Sequence, residues 1–149
     1  MEMQQRPLIT VGLPSAFIAL VGTAVGMLLA FVSAFLPWYE YSIADETVTI
    51  DGLDAGGGRV IAMVVAGILA LIGFVLDPSR NRWLLGAIFV IGANVAADFS
   101  VALTLDLDEI REGVWLGLTG GVVSALASAL AFALSQFEFR GVRAENQFD

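Results

Sequence analysis

The sequence predicts an all-α membrane protein, a four-transmembrane-helix bundle with a small extracellular β-hairpin between helices 1 and 2. Composition is the first observation, because 58% of the 149 residues are hydrophobic and only 15% are charged. A soluble domain has about 25% charged residues. The second observation is the mean hydropathy of +0.83, which also indicates a membrane protein. The third observation is that the charges leave four long apolar stretches, each near the ~20 residues that cross a bilayer.

The spans take up most of the chain, which predicts one membrane domain over residues 1–149. Pro14 suits the first turn of helix 1, since its missing N–H costs little there. A cleaved signal peptide is the alternative for this stretch, but the apolar run exceeds the ~7–15 residues of a signal sequence. The predicted spans cover residues 14–36, 60–76, 83–105 and 114–137.

Arginine placement predicts a multi-pass protein of the cell membrane with both termini in the cytoplasm. Four spans put five of the seven Arg on the side of the termini, and only Arg59 and Arg111 on the other. This is the asymmetry of the positive-inside rule. The outer side then carries nine acidic residues against these two Arg.

The acidic outer side has two interpretations. A surface rich in carboxylates, in a chain without Lys, is typical of a halophilic archaeon, where salt screens the self-repulsion. The alternative is a vestibule that attracts cations, or a docking face for a basic partner. Neither interpretation favours nucleic acid as a partner.

The outer loop, residues 38–59, contains the predicted hairpin. Residues 39–43 and 47–50 alternate aromatic or β-branched side chains with polar ones, and a short polar turn separates them. A loop without strands is the alternative. Helix 3 is expected to project beyond the bilayer for one or two turns within residues 101–112, which contain no Gly or Pro, and Gly113 is the expected break before span 4.

Aromatic residues at the ends of the spans are expected to anchor the helices at the membrane interface, where Trp and Tyr are enriched. Ligand binding is the less favoured alternative. The anchors are Trp38, Tyr39, Tyr41, Trp83 and Trp115.

Trp38 at the exit of span 1, the pair Gly52-Leu53 and Arg59 before span 2 occur in an order that resembles the claudins and peripheral myelin proteins. The resemblance implies four helices and an outer sheet that mediates contacts between proteins. The sequence departs from that family in lacking both loop cysteines, in having Asp54 where the family has Trp, and in its shorter first loop. The chain is also similar to small prokaryotic four-span membrane proteins with Pro-Trp after span 1.

Small residues four positions apart recur in three spans and let helix backbones approach closely. Packing within the bundle is the favoured interpretation, and dimerisation is the alternative. The residues are Gly22, Gly26, Ala66, Ala70, Gly117 and Gly121.

Asp98 is the single ionisable residue inside a predicted span, which makes it a candidate functional residue by default. Asn94 lies one turn away, Ser33 and Thr119 fall at a similar depth, and Arg59 could reach down to it. We expect Asp98 to hold the bundle together through these groups. A cation or proton site is the alternative.

The acids between helices 3 and 4 could hold Ca²⁺ or Mg²⁺ through oxygen ligands, but they lack the Gly and the register of an EF-hand. A solvated acidic face is favoured, so no metal or cofactor is expected. The residues are Asp106, Asp108, Glu109 and Glu112.

The absence of Cys and His removes thiolate nucleophiles, imidazole bases and zinc sites built on these residues. We therefore expect no enzyme. The leading hypothesis is a structural or accessory membrane protein that packs in the lipid bilayer with another membrane protein or with copies of itself. An oligomeric cation channel or transporter using Asp98 and Asn94 is the alternative. A sensor or adaptor is less favoured, because it would need a cytoplasmic domain to carry its signal and none is expected here.

Overall fold

A computed structural model describes residues 13–43, 46–76, 81–104 and 109–145. The described chain is mostly helical, and all four of its long helices are long and apolar enough to cross a membrane, as the composition predicted. The helices are α1 (Leu13–Ser33), α2 (Gly58–Leu76), α3 (Asn81–Ala102) and α4 (Glu112–Glu145).

Helix α4 is central to the bundle. Helices α1 and α3 pack along it extensively, whereas α2 makes smaller contacts with α3 and α1. Helices α1 and α3 lie so close to α4 because glycines occupy their contacts. A Cβ atom on Gly26 would lie 2.5 Å from the carbonyl oxygen of Gly120, and one on Gly92 would lie 2.8 Å from the backbone nitrogen of Ala125. Glycine at these crossings lets the backbones meet.

A small antiparallel sheet covers one end of the bundle, which we call the sheet-side end. Its strands are β1 (Pro37–Ile43), β2 (Glu46–Asp51) and β3 (Glu109–Ile110), in the order β2-β1-β3. Strands β1 and β2 form the predicted hairpin, with Tyr41 opposite Val48. Of the predicted turn, residues 44 and 45 lie outside the described residues.

The expected extension of helix 3 within residues 101–112 is wrong. Helix α3 ends at Ala102, and the backbone N–H and side-chain hydroxyl of Thr104 both donate to the carbonyl of Val101, which closes the last turn. Glu109 and Ile110 then pair with β1, because the free edge of that strand offers backbone hydrogen bonds. Gly113 is not a break either, since α4 begins at Glu112.

A wide turn over Leu53–Gly57 joins β2 to α2. The N–H of Gly57 donates to the carbonyl of Gly52 at 2.6 Å and closes the turn. Gly56 has a φ of 104°, a conformation that residues with a side chain rarely adopt. The glycines after the hairpin therefore serve to bring α2 sharply back along the bundle.

The buried apolar side chains form two clusters at opposite ends of the bundle. The smaller one contains Phe74 and Leu85 and lies away from the sheet. The larger one, built around Phe99, lies beneath the sheet and includes Trp38. The sheet is thus packed into the core of the bundle through Trp38 and is not a separate loop that only connects the helices.

Candidate functional site

Trp38 is the residue that joins the sheet to the helices. It lies where the pairing of β1 with β2 shifts register between Pro37 and Tyr39, and such irregularities redirect a side chain. Its indole N–H donates to the carbonyl of Ser33 at 2.7 Å, and its ring meets Phe99 edge-on at 4.8 Å between centroids. Only 6% of Trp38 is exposed.

Two glycines make room for the indole ring of Trp38. A Cβ atom on Gly113 would lie 2.6 Å from Cδ1 of Trp38, and one on Gly52 would lie 2.6 Å from the carbonyl oxygen of Ala34 and closer still to the indole nitrogen. Any larger residue at either position would displace the ring. The seat of Trp38 is therefore built by segments far apart in the sequence.

Trp38 was expected to be an anchor at the membrane interface, but in the structure its ring is buried beneath the sheet. Trp83 and Trp115 are 85% and 54% exposed, as an anchor requires. Tyr39 and Tyr41 are half-buried on β1. For these four residues the anchoring role stays a prediction.

An ion pair joins the third strand to the first. Arg111, directly after β3, contacts the carboxylate of Glu40 on β1, and the two side chains are 35% and 22% exposed. The N–H of Arg111 also donates to the carbonyl of Trp38 at 2.9 Å. Arg111 therefore holds both the backbone and the charge of β1 in place.

A second ion pair joins α2 to α3 at the same end. The guanidinium Nε of Arg59 lies 3.4 Å from Oδ2 of Asp98, and these side chains are 73% and 30% exposed. Asp98 precedes the end of α3 at Ala102 by four residues, or about 6 Å. It therefore lies nearer the end of its helix than the predicted span, residues 83–105, implied.

Of the polar residues expected around Asp98, the structure brings Arg59 to it. The other three donate to carbonyls of their own helices: Ser33 to Ala30, Asn94 to Val90 and Thr119 to Trp115. Asp98 thus ties α2 to α3 through one arginine and not through a network across the bundle.

Burial raises the pKa of the Tyr39 phenol above its ordinary value of 10.0. The cause is that removal from water disfavours the charged phenolate. Tyr39 lies beside Trp38, with its ring 6.3 Å away at a right angle, and packs against the larger core cluster. The underside of β1 is therefore an apolar surface even though Glu40 follows Tyr39 directly.

The predicted glycine motifs pack inside the chain. A Cβ atom on Gly22 would overlap Ala127, one on Gly117 would overlap the ring of Phe99, and one on Gly121 would meet the backbone of Ala96. Gly26 meets α4 in the same way. The two alanines of the α2 motif differ, because Ala66 is exposed and Ala70 is half-buried.

Two of the four acids proposed as a cation cluster, Asp106 and Asp108, lie outside the described residues. Glu109 contributes its backbone to β3, and Glu112 begins α4 with an exposed side chain. Among the described residues, no group of three or more Asp or Glu side chains is placed to hold a metal ion.

Sequence reasoning missed Phe99, which contacts the Trp38 ring, and Glu40, which pairs with Arg111. It took Gly113 for a helix break and missed that this glycine makes room for the Trp38 ring. The signal for Gly113 was present, since a glycine inside the first turn of a helix lowers helix stability and needs a packing reason. Phe99 and Glu40 gave no signal, because both are ordinary residues at their positions.

A scan against protein-family models finds no match, and neither do searches of curated proteins and of solved structures. The arrangement at the sheet-side end must therefore be interpreted from its own geometry. What that geometry accomplishes is mechanical: an indole, two glycines and an ion pair hold a three-stranded sheet in a fixed position on a helical bundle.

Proposed function

We propose that this chain is a structural or accessory protein of the cell membrane that presents its sheet as a fixed docking face to another membrane protein or to a second copy. The observation that supports this most strongly is the seat of Trp38. A loop that only connected two spans would need no buried indole, whereas a docking face benefits from being held rigidly before it binds.

The chemistry of the sheet suggests what it binds. Strand β2 is an edge strand, and Glu46 and Asp51 at its two ends are exposed. An open strand edge offers unpaired N–H and C=O groups, and flanking acids favour a partner with a basic surface. By the arginine asymmetry, this face lies outside the cell and both termini lie in the cytoplasm.

The glycine faces are not available to a partner in this proposal, since Gly22, Gly26, Gly117 and Gly121 already meet neighbouring helices. Association within the bilayer has to use outward-facing helix surfaces instead, among them those of α2 and α3. Ala66 lies on the first of these.

The test is native extraction at high salt with a mild detergent, followed by mass analysis of the intact assembly. We expect a stoichiometric companion, either another protein or a second copy. Replacing both Glu46 and Asp51 by Arg should remove a companion that docks on β2. The matched control is Glu138→Arg with Glu145→Arg, the same charge change near the far end of α4.

A chain that travels as a lone monomer at every detergent and salt concentration would contradict the proposal. If the companion is lost equally from the control variant, docking through β2 is wrong, and general electrostatics explain the association.

A cation channel or transporter is the second candidate, because Asn94 is exposed and Asp98 is partly exposed on α3. The pairing of Asp98 with Arg59 argues against it, since a neighbouring cation occupies the carboxylate. Bilayer recordings of reconstituted protein distinguish the two. A cation current that Asp98→Asn abolishes would favour the channel, and flat recordings would remove it.

A further inference from the structure

Asn94 is an exposed amide close to the middle of a helix that is apolar enough to cross a membrane. The apolar segment of α3 runs over Trp83–Ala102, 20 residues, and Asn94 is followed by eight of them. At 1.5 Å per residue, it lies about 12 Å from the sheet-side end of the helix. In a bilayer this position is close to the centre of the hydrocarbon, where no water can solvate an amide.

The hydrogen-bonding capacity of Asn94 exceeds what its helix uses. One N–H donates to the carbonyl of Val90 at 2.8 Å, which leaves a second N–H and a carbonyl oxygen available. The exposed hydroxyls of Ser100, Thr104 and Thr119 differ, because each has a single proton and gives it to a backbone carbonyl of its own chain. Compared with these exposed hydroxyls, the amide of Asn94 therefore has more to gain from a partner.

The residues around Asn94 are spaced for a helix–helix contact. Alternating steps of four and three residues mark one seam of a helix that crosses another at about 20°. Every residue at these steps along α3 is exposed, and two of them are alanines that would let a second backbone approach. The seam consists of Trp83, Ala87, Val90, Asn94, Ala97 and Val101.

We propose that this seam is the interface between two copies of the chain, with Asn94 of one copy hydrogen-bonded to Asn94 of the other about a two-fold axis along the membrane normal. This inference rests on the proposed membrane location and names the partner that the proposed function leaves open.

Complementarity favours a second copy over other occupants. Lipid tails offer no hydrogen-bond donor or acceptor. Two copies inserted in the same orientation place the same residue at the same depth, and an amide carries both the donor and the acceptor that its own duplicate needs. The flank of the seam is also compatible with this contact, because Asp98 and Arg59 form an ion pair and two copies would not bring unpaired like charges together.

A single asparagine in an otherwise apolar seam fixes both register and stoichiometry, because any shift along the helix axis separates the two amides. The geometry therefore points to a dimer of defined register and not to open-ended association through apolar surfaces.

The test uses the full chain in lipid vesicles and exploits the absence of natural cysteine. Ala97→Cys on the seam should give a disulfide-linked dimer on mild oxidation. Leu126→Cys on α4, whose native side chain is 64% exposed but lies off the seam, is the matched control and should stay monomeric. Equal linkage at both positions would overturn the proposed interface.

The second measurement is the dimer dissociation constant in vesicles, obtained from energy transfer between labelled copies. Asn94→Val should weaken the dimer by roughly three- to tenfold, the range found for polar contacts between membrane helices. Thr119→Val, which removes an exposed hydroxyl that already bonds its own helix, should leave it unchanged. An Asn94→Val protein that dimerises as well as the wild type would overturn the role of the amide.

Three results separate this inference from the proposed function. A dimer that links through Ala97→Cys and weakens in Asn94→Val supports the inference and the association that the proposed function requires, while docking on β2 is judged by the Glu46 and Asp51 variants. A stoichiometric companion of different sequence overturns the inference and leaves the accessory function intact. A monomer without any companion, in vesicles and in the native extract, overturns both.

Discussion

Residues of the same type occur in two contrasting regions of this molecule. The packed region consists of α4, the faces of α1 and α3 that meet it, and the sheet seated on them. The outward region consists of the faces of α2 and α3 that point away from α4. Each region has a tryptophan, an arginine and a set of small residues. In the packed region, all of these residues pack against or pair with other parts of the same chain.

The contrast shows that residue type and spacing do not reveal which surface a motif serves. Gly22 and Gly26 meet α4 so closely that a methyl group would not fit, while Ala66, spaced the same way from Ala70, is exposed. What decides the matter is the packing of the other helices. Matched substitutions in the two regions can therefore break or sharpen the comparison.

The largest difference is expected between two tryptophans. Trp38→Ala removes a buried ring from the core, and such truncations cost about 3–5 kcal/mol of unfolding free energy. Trp83→Ala changes a side chain that is 85% exposed and should cost less than about 0.5 kcal/mol in detergent. Thermal unfolding followed by near-ultraviolet circular dichroism measures both.

Trp38→Phe divides the effect of the truncation into its parts. It keeps an aromatic ring against Phe99 but removes the N–H that donates to the carbonyl of Ser33. We expect the unfolding free energy of Trp38→Phe to lie between those of the wild type and Trp38→Ala. Equal stability of Trp38→Ala and Trp83→Ala would mean that the sheet is not fastened by this ring.

The next largest difference is expected between two glycines. A Cβ atom on Gly26 would lie 2.5 Å from the carbonyl oxygen of Gly120, so Gly26→Ala must push α1 away from α4, at a cost of about 1–3 kcal/mol. Gly86 on α3 has open space, so Gly86→Ala should be neutral or should stabilise the helix by up to about 1 kcal/mol. The same unfolding assay compares them, and a tolerated Gly26→Ala would show that the crossing is looser than this.

The two arginines should differ less. Arg111→Gln breaks the contact with Glu40 between β3 and β1, where both partners are about two-thirds buried or more, and should cost about 1 kcal/mol. Arg59→Gln affects a pair in which the arginine is 73% exposed, and should cost under about 0.5 kcal/mol. Protease cleavage within residues 104–110 should rise in Arg111→Gln, and unchanged cleavage would argue against its fastening role.

Much of the fold could be predicted from composition alone, because four apolar stretches of the right length leave few other arrangements in a membrane. The period-two pattern of residues 39–43 also predicted β1 correctly. Strand β3 could not be predicted, since two residues carry no pattern, and Val101–Thr104 offered neither Gly nor Pro to mark the end of α3.

The candidate site was predictable only where charge limits the choices. Arg59 and Asp98 are scarce charges at similar depth, and they meet. Trp38 was placed in the wrong environment because a tryptophan at a helix end is typical of the membrane interface. Its actual seat depends on Gly52, Phe99 and Gly113, residues that only the folded chain brings together.

The smallest expected effect concerns the ionisation of Tyr39, on the side of β1 that faces the core. Tyr41→Phe leaves Tyr39 as the single tyrosine of the chain. Burial raises the pKa of this phenol above 10.0, so tyrosinate absorbance should appear at higher pH in the folded protein than in the denatured one. Coincident titration curves would place Tyr39 in water and β1 away from the bundle.

The sign of the accompanying stability change follows from linkage. As the pH rises past 10.0, the unfolded chain ionises first, so ionisation favours unfolding. The stability that depends on the neutral phenol is complete below that pH and is lost as the pH rises through the folded pKa. Tyr39→Phe, which has no proton to lose, should therefore resist alkali better than Tyr41→Phe.

Trp38 next to Tyr39 holds β1 to the bundle, so Trp38→Ala should also bring the pKa of Tyr39 back toward 10.0. This result would show that the burial of Tyr39 depends on the seat of Trp38.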